Sequence, residues 1–157
     1  DRNDTIMNII EAIQKLHETT DKDIIITHDA VRPFITPRII EENIKAAKEH
    51  GACDTIIPAS DTIVISEDGK FISSIPKRGN MYQGQTPQSF KIPLLKKVYD
   101  EITEDEKSIL TDACKAFVIR GVPVAVVMGE PQNMKITNMT DLKIAEHLVS
   151  AEDLKLD

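Results

Sequence analysis

The sequence is short of positive charge, of paired cysteines, of clustered glycines and of long apolar runs, and each shortage excludes something. Lys and Arg total 19 against 26 Asp and Glu, a net charge of −7 over 157 residues. An acidic surface repels phosphate backbones, so sequence-independent nucleic-acid binding is not expected. The longest nearly unbroken apolar stretch, 122–128, is far too short to span a bilayer. No apolar segment preceded by basic residues opens the chain, so neither a membrane partner nor export is expected. The two cysteines, Cys53 and Cys114, stand at neither metal-type nor redox-type spacing, which fits a reducing cytoplasm. Histidines and carboxylates do not recur at metal-ligand spacing, which argues against a permanent zinc or iron site. His17, His50 and His147 read as surface residues.

The six glycines are scattered and offer no phosphate cradle. The stretch 79–86, G-N-M-Y-Q-G-Q-T, comes within one residue of a P-loop, but Gln85 stands where the phosphate-binding lysine belongs and Pro87 follows at once. The P-loop reading is rejected. Two glycosylation sequons, at Asn3 and Asn138, read as chance. What remains is an ordinary globular composition, 41% hydrophobic and 29% charged, long enough for one domain that buries roughly 68–70% of its unfolded surface.

Along the chain, helix and strand patterns alternate. Residues 4–18 carry Ile6, Ile9, Ile10, Ile13 and Leu16 at helical spacing, and 24–26 is a short buried strand. Thr36 as N-cap, Pro37 at the first helical position and Gly51 as C-terminal cap bracket a helix striped by Ile40, Ile44 and Ala47. A strand at 53–58 is followed by two more at 61–66 and 70–75, joined by the turn Glu67-Asp68-Gly69. Helices are predicted at 93–102 and 109–119, strands at 122–128 and 134–137. Asn138 with Asp141 resembles a capping box for a last helix to about 149. The expected fold is α/β: a mainly parallel, Rossmann-like sheet with helices on both faces and an inserted hairpin arm at about 59–83. The chain opens on a helix without methionine. The first strand and glycine-rich turn of such folds are therefore expected upstream, making 1–157 the C-terminal part of a single domain.

The most informative stretch is His28-Asp29-Ala30-Val31-Arg32-Pro33-Phe34, just after a predicted strand, where open α/β sheets bind ligands. Asp29 is placed to hold Mg²⁺, a hard cation that prefers oxygen ligands and substrate phosphates. Arg32 can neutralise a phosphate or brace that carboxylate. The competing reading is a loop Asp capping a turn with an Arg paired to it. For His28 a structural imidazole bonded to backbone outweighs a catalytic base. Lys135 lies just before a helix at a sheet edge, where a lone lysine is more often a solvated charge. Thr111-Asp112 reads as an N-cap.

Four motifs in order, His28-Asp29-Ala30-Val31-Arg32-Pro33-Phe34, Gln85-Thr86-Pro87-Gln88-Ser89-Phe90, Thr111-Asp112-Ala113 and Asn133-Met134-Lys135-Ile136-Thr137, resemble the cytidylyltransferases that activate polyol phosphates. These join CTP to ribitol 5-phosphate or 2-C-methyl-D-erythritol 4-phosphate and release pyrophosphate. Such transfer needs alignment and charge neutralisation more than covalent help. The fuller wording of 82–90 with 138–143 is closer to the ribitol-phosphate branch, which serves teichoic-acid or capsule polymers; the methylerythritol branch serves isoprenoid precursors. The resemblance implies Asp29 as Mg²⁺ ligand, Arg32 as its support and Lys135 as a phosphate contact at the reacting centre. It implies Arg78 and Thr86 as acceptor-phosphate ligands in a neighbouring subunit's site, hence a homodimer with crossed arms. Arg2 and Thr5 match an R-x-x-S/T element near the nucleotide base.

Transfer of a cytidylyl group to ribitol 5-phosphate is therefore the leading expectation, and the methylerythritol reaction the alternative. A non-catalytic sugar-phosphate-binding or dimerisation module is the alternative of another class. A metal phosphohydrolase built on His28-Asp29 lacks further histidine ligands.

Overall fold

The computed structural model describes residues 2–153, and side chains over 4–150. The elements are α1 (Arg2–Leu16), β1 (Ile24–Thr27), α2 (Pro37–His50), β2 (Ala52–Pro58), a single 3₁₀ turn (Arg78–Asn80), β3 (Tyr82–Lys91), α3 (Ile92–Asp100), α4 (Glu104–Lys107), α5 (Ala113–Ile119), β4 (Ala125–Met128) and α6 (Met139–Asp153).

The sheet order is β1-β3-β2-β4. β3 pairs antiparallel with both β1 and β2, and β2 pairs parallel with β4. The expectation of a mainly parallel sheet is thus corrected to a mixed one. β1, β2 and β4 do share one direction. What upsets the pattern is β3, a ten-residue strand absent from the sequence reading because it contains Gly84 and Pro87. Proline is excluded from regular central strands but tolerated at bulges, where no ladder N–H is required. A bulge is what the register shows: Asp54 faces Gln88, yet two residues on Ile56 faces Gly84. Inside it the Thr55 hydroxyl donates to the Pro87 carbonyl at 2.7 Å, replacing a ladder bond.

Helices cover both faces, as expected. Successive strand residues point to opposite sides. Ala52 packs into a cluster with Ile6, Ile10, Phe90, Leu95 and Phe117 from α1, β3, α3 and α5. Its neighbour Cys53 packs with Ala47 of α2 and Val127 of β4. Phe90 and Phe117 stack with ring centroids 5.1 Å apart.

Hydropathy alone misplaces the inner face of α2. The buried residues are Ile39, Asn43 and Ala47, with Ile40 and Ile44 half-buried. Asn43 can be buried because its amide donates to the Ile39 carbonyl and to Thr55 Oγ1, both at 2.9 Å, while its Oδ1 accepts from Ser89. The helix ends on Gly51 at φ 90°, a conformation side chains avoid, and a Cβ there would meet Leu94 Cδ2 at 2.6 Å.

Other boundaries shift. The helix predicted at 109–119 starts only at Ala113, capped by Asp112, which accepts from Lys115 N at 2.9 Å. Ahead of it lies α4, opened by a Thr103–Glu106 capping box that the sequence reading passed over. The Asn138–Asp141 box is present: each side chain accepts from the other's backbone N–H, at 3.0 and 3.1 Å. The strand expected at 134–137 does not form; a single bond, Ile136 N to the Val31 carbonyl at 2.9 Å, stands in its place. The two arm strands reduce to one isolated bridge, Ile65 with Ser74. An isolated two-stranded ribbon has too little to bury to hold a ladder, and Val64, Ile65, Phe71, Ile72 and Ile75 are indeed exposed. Its turn forms as read, with Gly69 at φ 69° and Asp68 Oδ1 accepting from Lys70 and Phe71 N–H. Among the described residues no helix is long and apolar enough to cross a membrane.

Candidate functional site

β1 and β4 run the same way, so the loops that leave them emerge at one end of the sheet. The first carries His28, Asp29 and Arg32; the second carries Glu130, Asn133 and Lys135. They converge on Asp29 Oδ2, which has Arg32 Nε at 3.4 Å and Lys135 Nζ at 3.3 Å. Asp29 and Arg32 are mostly buried. Lys135 is 48% exposed, so its ammonium can leave the carboxylate for an incoming ligand. Two cations on one carboxylate leave a local excess of positive charge in an otherwise acidic protein. Such an excess is chemically suited to an anionic group.

The second loop is tied down by buried bonds. Arg32 Nη1 donates to the Asn133 carbonyl at 2.9 Å, so one guanidinium spans the carboxylate and the opposite loop. Asn133, fully buried, donates from Nδ2 to the Thr86 carbonyl at 2.7 Å and to Gln85 Oε1 at 3.2 Å. Gln85 in turn donates to the Glu130 carbonyl at 2.9 Å. Gly129 lets this happen: a Cβ there would sit 2.2 Å from Gln85 Oε1. The base of the loop is clamped from α2, where Arg38 donates to Glu130 Oε1 and to the Met128 carbonyl, and Thr36 to the same carboxylate oxygen. Glu130 and Glu42 raise the Arg38 guanidinium further above its ordinary value.

Thr86, at the β3 bulge, belongs to the same cluster. It is buried, and its Oγ1 accepts from the Asp29 N–H at 3.0 Å and meets His28 Nδ1 at 2.9 Å. Expectation paired Thr86 with Arg78 in a neighbouring subunit's site. Within its own chain Thr86 lies beside Asp29. Arg78 stands apart on the 3₁₀ turn at the arm's end, exposed and without an ion-pair partner among the described residues. Thr5, exposed on α1, lines a cleft of about 450 Å³ whose walls include Ile9, Ile13, Ile26, Thr27 and His28, so it opens towards the Asp29 loop. Arg2 begins α1, and its side chain lies outside the described residues.

Sequence reasoning named Asp29, Arg32 and Lys135 and gave no role to Gln85, Asn133, Arg38 or Glu130. Gln85 and Asn133 stand at the first positions of two of the four motifs; Arg38 and Glu130 lie outside all of them.

A single carboxylate fits a magnesium ion that travels with a triphosphate, since Mg²⁺ keeps most of its shell as water and phosphate oxygen. It does not fit a resident ion held by protein alone: among the described residues no three His, Cys, Asp or Glu come together to ligate one.

Residues 1–151 match the sequence family described as 2-C-methyl-D-erythritol 4-phosphate cytidylyltransferase. Among solved structures, the enzyme of that name from Thermus thermophilus is 28% identical with a TM-score of 0.77, over 94% of this chain and 68% of that one. The 4-diphosphocytidyl-2C-methyl-D-erythritol synthase of Anaerococcus prevotii is 28% identical with a TM-score of 0.74, over 90% and 62%. The Francisella tularensis 2-C-methyl-D-erythritol 4-phosphate cytidylyltransferase is 25% identical with a TM-score of 0.77, over 88% and 64%. The chain thus spans about two thirds of these relatives. By its sequence match and its fold, it belongs to the 2-C-methyl-D-erythritol 4-phosphate cytidylyltransferase family.

Proposed function

We propose that the Asp29 cluster is the acceptor side of a cytidylyl-transfer site, joining CTP to 2-C-methyl-D-erythritol 4-phosphate with release of pyrophosphate. The observation that carries this reading is the convergence of Arg32 and Lys135 on one oxygen of Asp29 at the carboxyl ends of β1 and β4. A phosphate oxygen of the acceptor attacks the α-phosphorus of CTP, a P–O bond forms, and the bond to the β-phosphate breaks. The protein's part is to hold two anions together and in line. Lys135, half exposed, turns from Asp29 to the phosphates and neutralises charge that grows as they approach. Arg32 keeps the Asp29 carboxylate aimed while Lys135 is so engaged. Asp29 would supply one carboxylate oxygen to a Mg²⁺ ion accompanying CTP, whose chemistry there would be to offset phosphate charge.

The other assignments extend this site. Thr86 closes it from β3, and Arg2 and Thr5 are assigned to the nucleotide base. Arg78 reaches the acceptor phosphate of a second copy, the exposed apolar side chains of the two arms covering one another in a homodimer. Ribitol 5-phosphate, which the wording of 82–90 favours, is the second reading. The family match and the similar structures speak for methylerythritol phosphate and reverse the order expected from sequence.

Calorimetric titration of the two acceptor phosphates with Mg²⁺ present tests the assignment. Methylerythritol phosphate is expected to bind the more tightly, with Arg78→Ala weakening it about tenfold or more, as loss of a charge-assisted bond does. Tighter binding of ribitol 5-phosphate makes the second reading the correct one.

A further inference from the structure

We propose that His28 is a positioning residue, held as the Nε2–H tautomer, that fixes the turn carrying Asp29 through two hydrogen bonds of opposite sense. The turn itself is closed by the Arg32 N–H donating to the Asp29 carbonyl at 3.0 Å. That single bond leaves the orientation of the turn against β3 open. His28 closes it from both ends. Its Nε2 lies 2.9 Å from the Arg32 carbonyl, and its Nδ1 lies 2.9 Å from Thr86 Oγ1.

The hydrogens can be placed by elimination. A carbonyl oxygen only accepts, so Nε2 carries the proton. In a neutral imidazole Nδ1 is then a bare acceptor, so the Thr86 hydroxyl donates to it. The lone pairs of Thr86 Oγ1 remain to accept the Asp29 N–H at 3.0 Å. The bonds therefore run in one direction, from the Asp29 amide through the Thr86 hydroxyl to His28 and on to the Arg32 carbonyl, and each donor polarises the next. The chain begins at the residue whose carboxylate meets Lys135 and ends at the one whose guanidinium braces it. Thr86 is buried on the central strand, so the loop is registered against the most rigid part of the sheet although His28 itself is exposed.

Two conservative variants separate the two bonds. Asn at this position retains an acceptor near Nδ1 and cannot reach the Arg32 carbonyl; Gln retains a donor near Nε2 and loses the acceptor for Thr86. The kinetic consequence rests on the transfer reading above, whereas the geometry does not, so the first test needs no turnover.

Nitrogen-15 spectra of the imidazole in the 157-residue chain, at a pH where His28 is neutral, are expected to show one tautomer, with Nδ1 bare and Nε2 protonated. Exchange of the Asp29 amide with deuterium is expected to rise about tenfold in His28→Ala and in His28→Gln, and much less in His28→Asn. A protonated Nδ1, fast averaging of tautomers, or an Asp29 amide indifferent to all three substitutions overturns the proposal. In an active enzyme, His28→Ala is expected to lower kcat about tenfold or more with a smaller change in KM, and His28→Asn to recover part of it. Unchanged kcat in His28→Ala overturns the positioning role. Absence of turnover in the protein that carries this chain counts against the transfer reading, and the spectra still decide this one.

Discussion

Lys135 Nζ lies 3.3 Å from Asp29 Oδ2, and the two side chains differ sharply in exposure, 48% against 15%. An ion pair so open contributes little to stability, roughly 0–1 kcal/mol. Its value to the fold does not explain why a loop is tied down by Asn133, Gln85, Gly129 and Arg38 to bring it there. Under the function proposed above, its value to an anionic ligand does.

Lys135→Met is therefore expected to leave the unfolding midpoint within a degree or two of the wild type while lowering kcat about 10²-fold or more, by analogy with removal of one preorganised electrostatic contact. Thermal unfolding and pyrophosphate release, measured on one preparation, check both halves. A fall in stability with unchanged kcat assigns Lys135 a structural role.

Phe71 is 76% exposed, Ile72 60% and Ile75 59%. Three such side chains on one short ribbon are costly in water unless a partner covers them. Removing residues 61–75 is expected to turn a dimer into a monomer in sedimentation velocity, with the sheet's circular dichroism retained. A dimer that survives the deletion refutes the crossed-arm arrangement.

Cys53 is fully buried between α2 and the sheet, its thiol donating towards the Asn43 carbonyl and Oδ1 at 3.3 Å. Burial pushes the thiol up from 9.0 to about 11. The native state thus keeps a proton that the unfolded chain releases. The stability gained is fully present below about pH 9 and is lost as pH rises towards 11, on the order of 2 kcal/mol over the window. Urea titrations from pH 8 to 11 are expected to show the decline, and Cys53→Ala to flatten it relative to the wild type. Equal slopes would mean that other groups carry the effect.

Much of this was legible in the sequence, and the parts that were not share a cause. Most caps and turns read correctly because they rest on local chemistry: Pro37, Gly51, Asp68-Gly69, Asp112 and Asn138–Asp141 all behave as such residues do, while Thr36 holds the N-cap position without a side-chain capping bond, its hydroxyl donating to Glu130. Asp29, Arg32 and Lys135 could be named from motif and charge. β3 escaped because Pro87 breaks the strand pattern locally, and only pairing with β1 and β2 on either side makes a bulged strand worthwhile. The inner face of α2 was misjudged by one residue because Asn43 is buried on the strength of partners, Thr55 and Ser89, that lie on other elements. Gln85 and Asn133 were visible but mute for the same reason: a buried amide has meaning only through what it bonds to.

The most direct test of the account is pyrophosphate release from CTP and Mg²⁺ by the protein that carries this chain, with 2-C-methyl-D-erythritol 4-phosphate and ribitol 5-phosphate side by side, for wild type and Asp29→Asn. The account predicts release with the methylerythritol acceptor, little with ribitol 5-phosphate, and a loss of about 10²-fold or more in Asp29→Asn. Near-normal turnover in Asp29→Asn, or a preference for ribitol 5-phosphate, would contradict it.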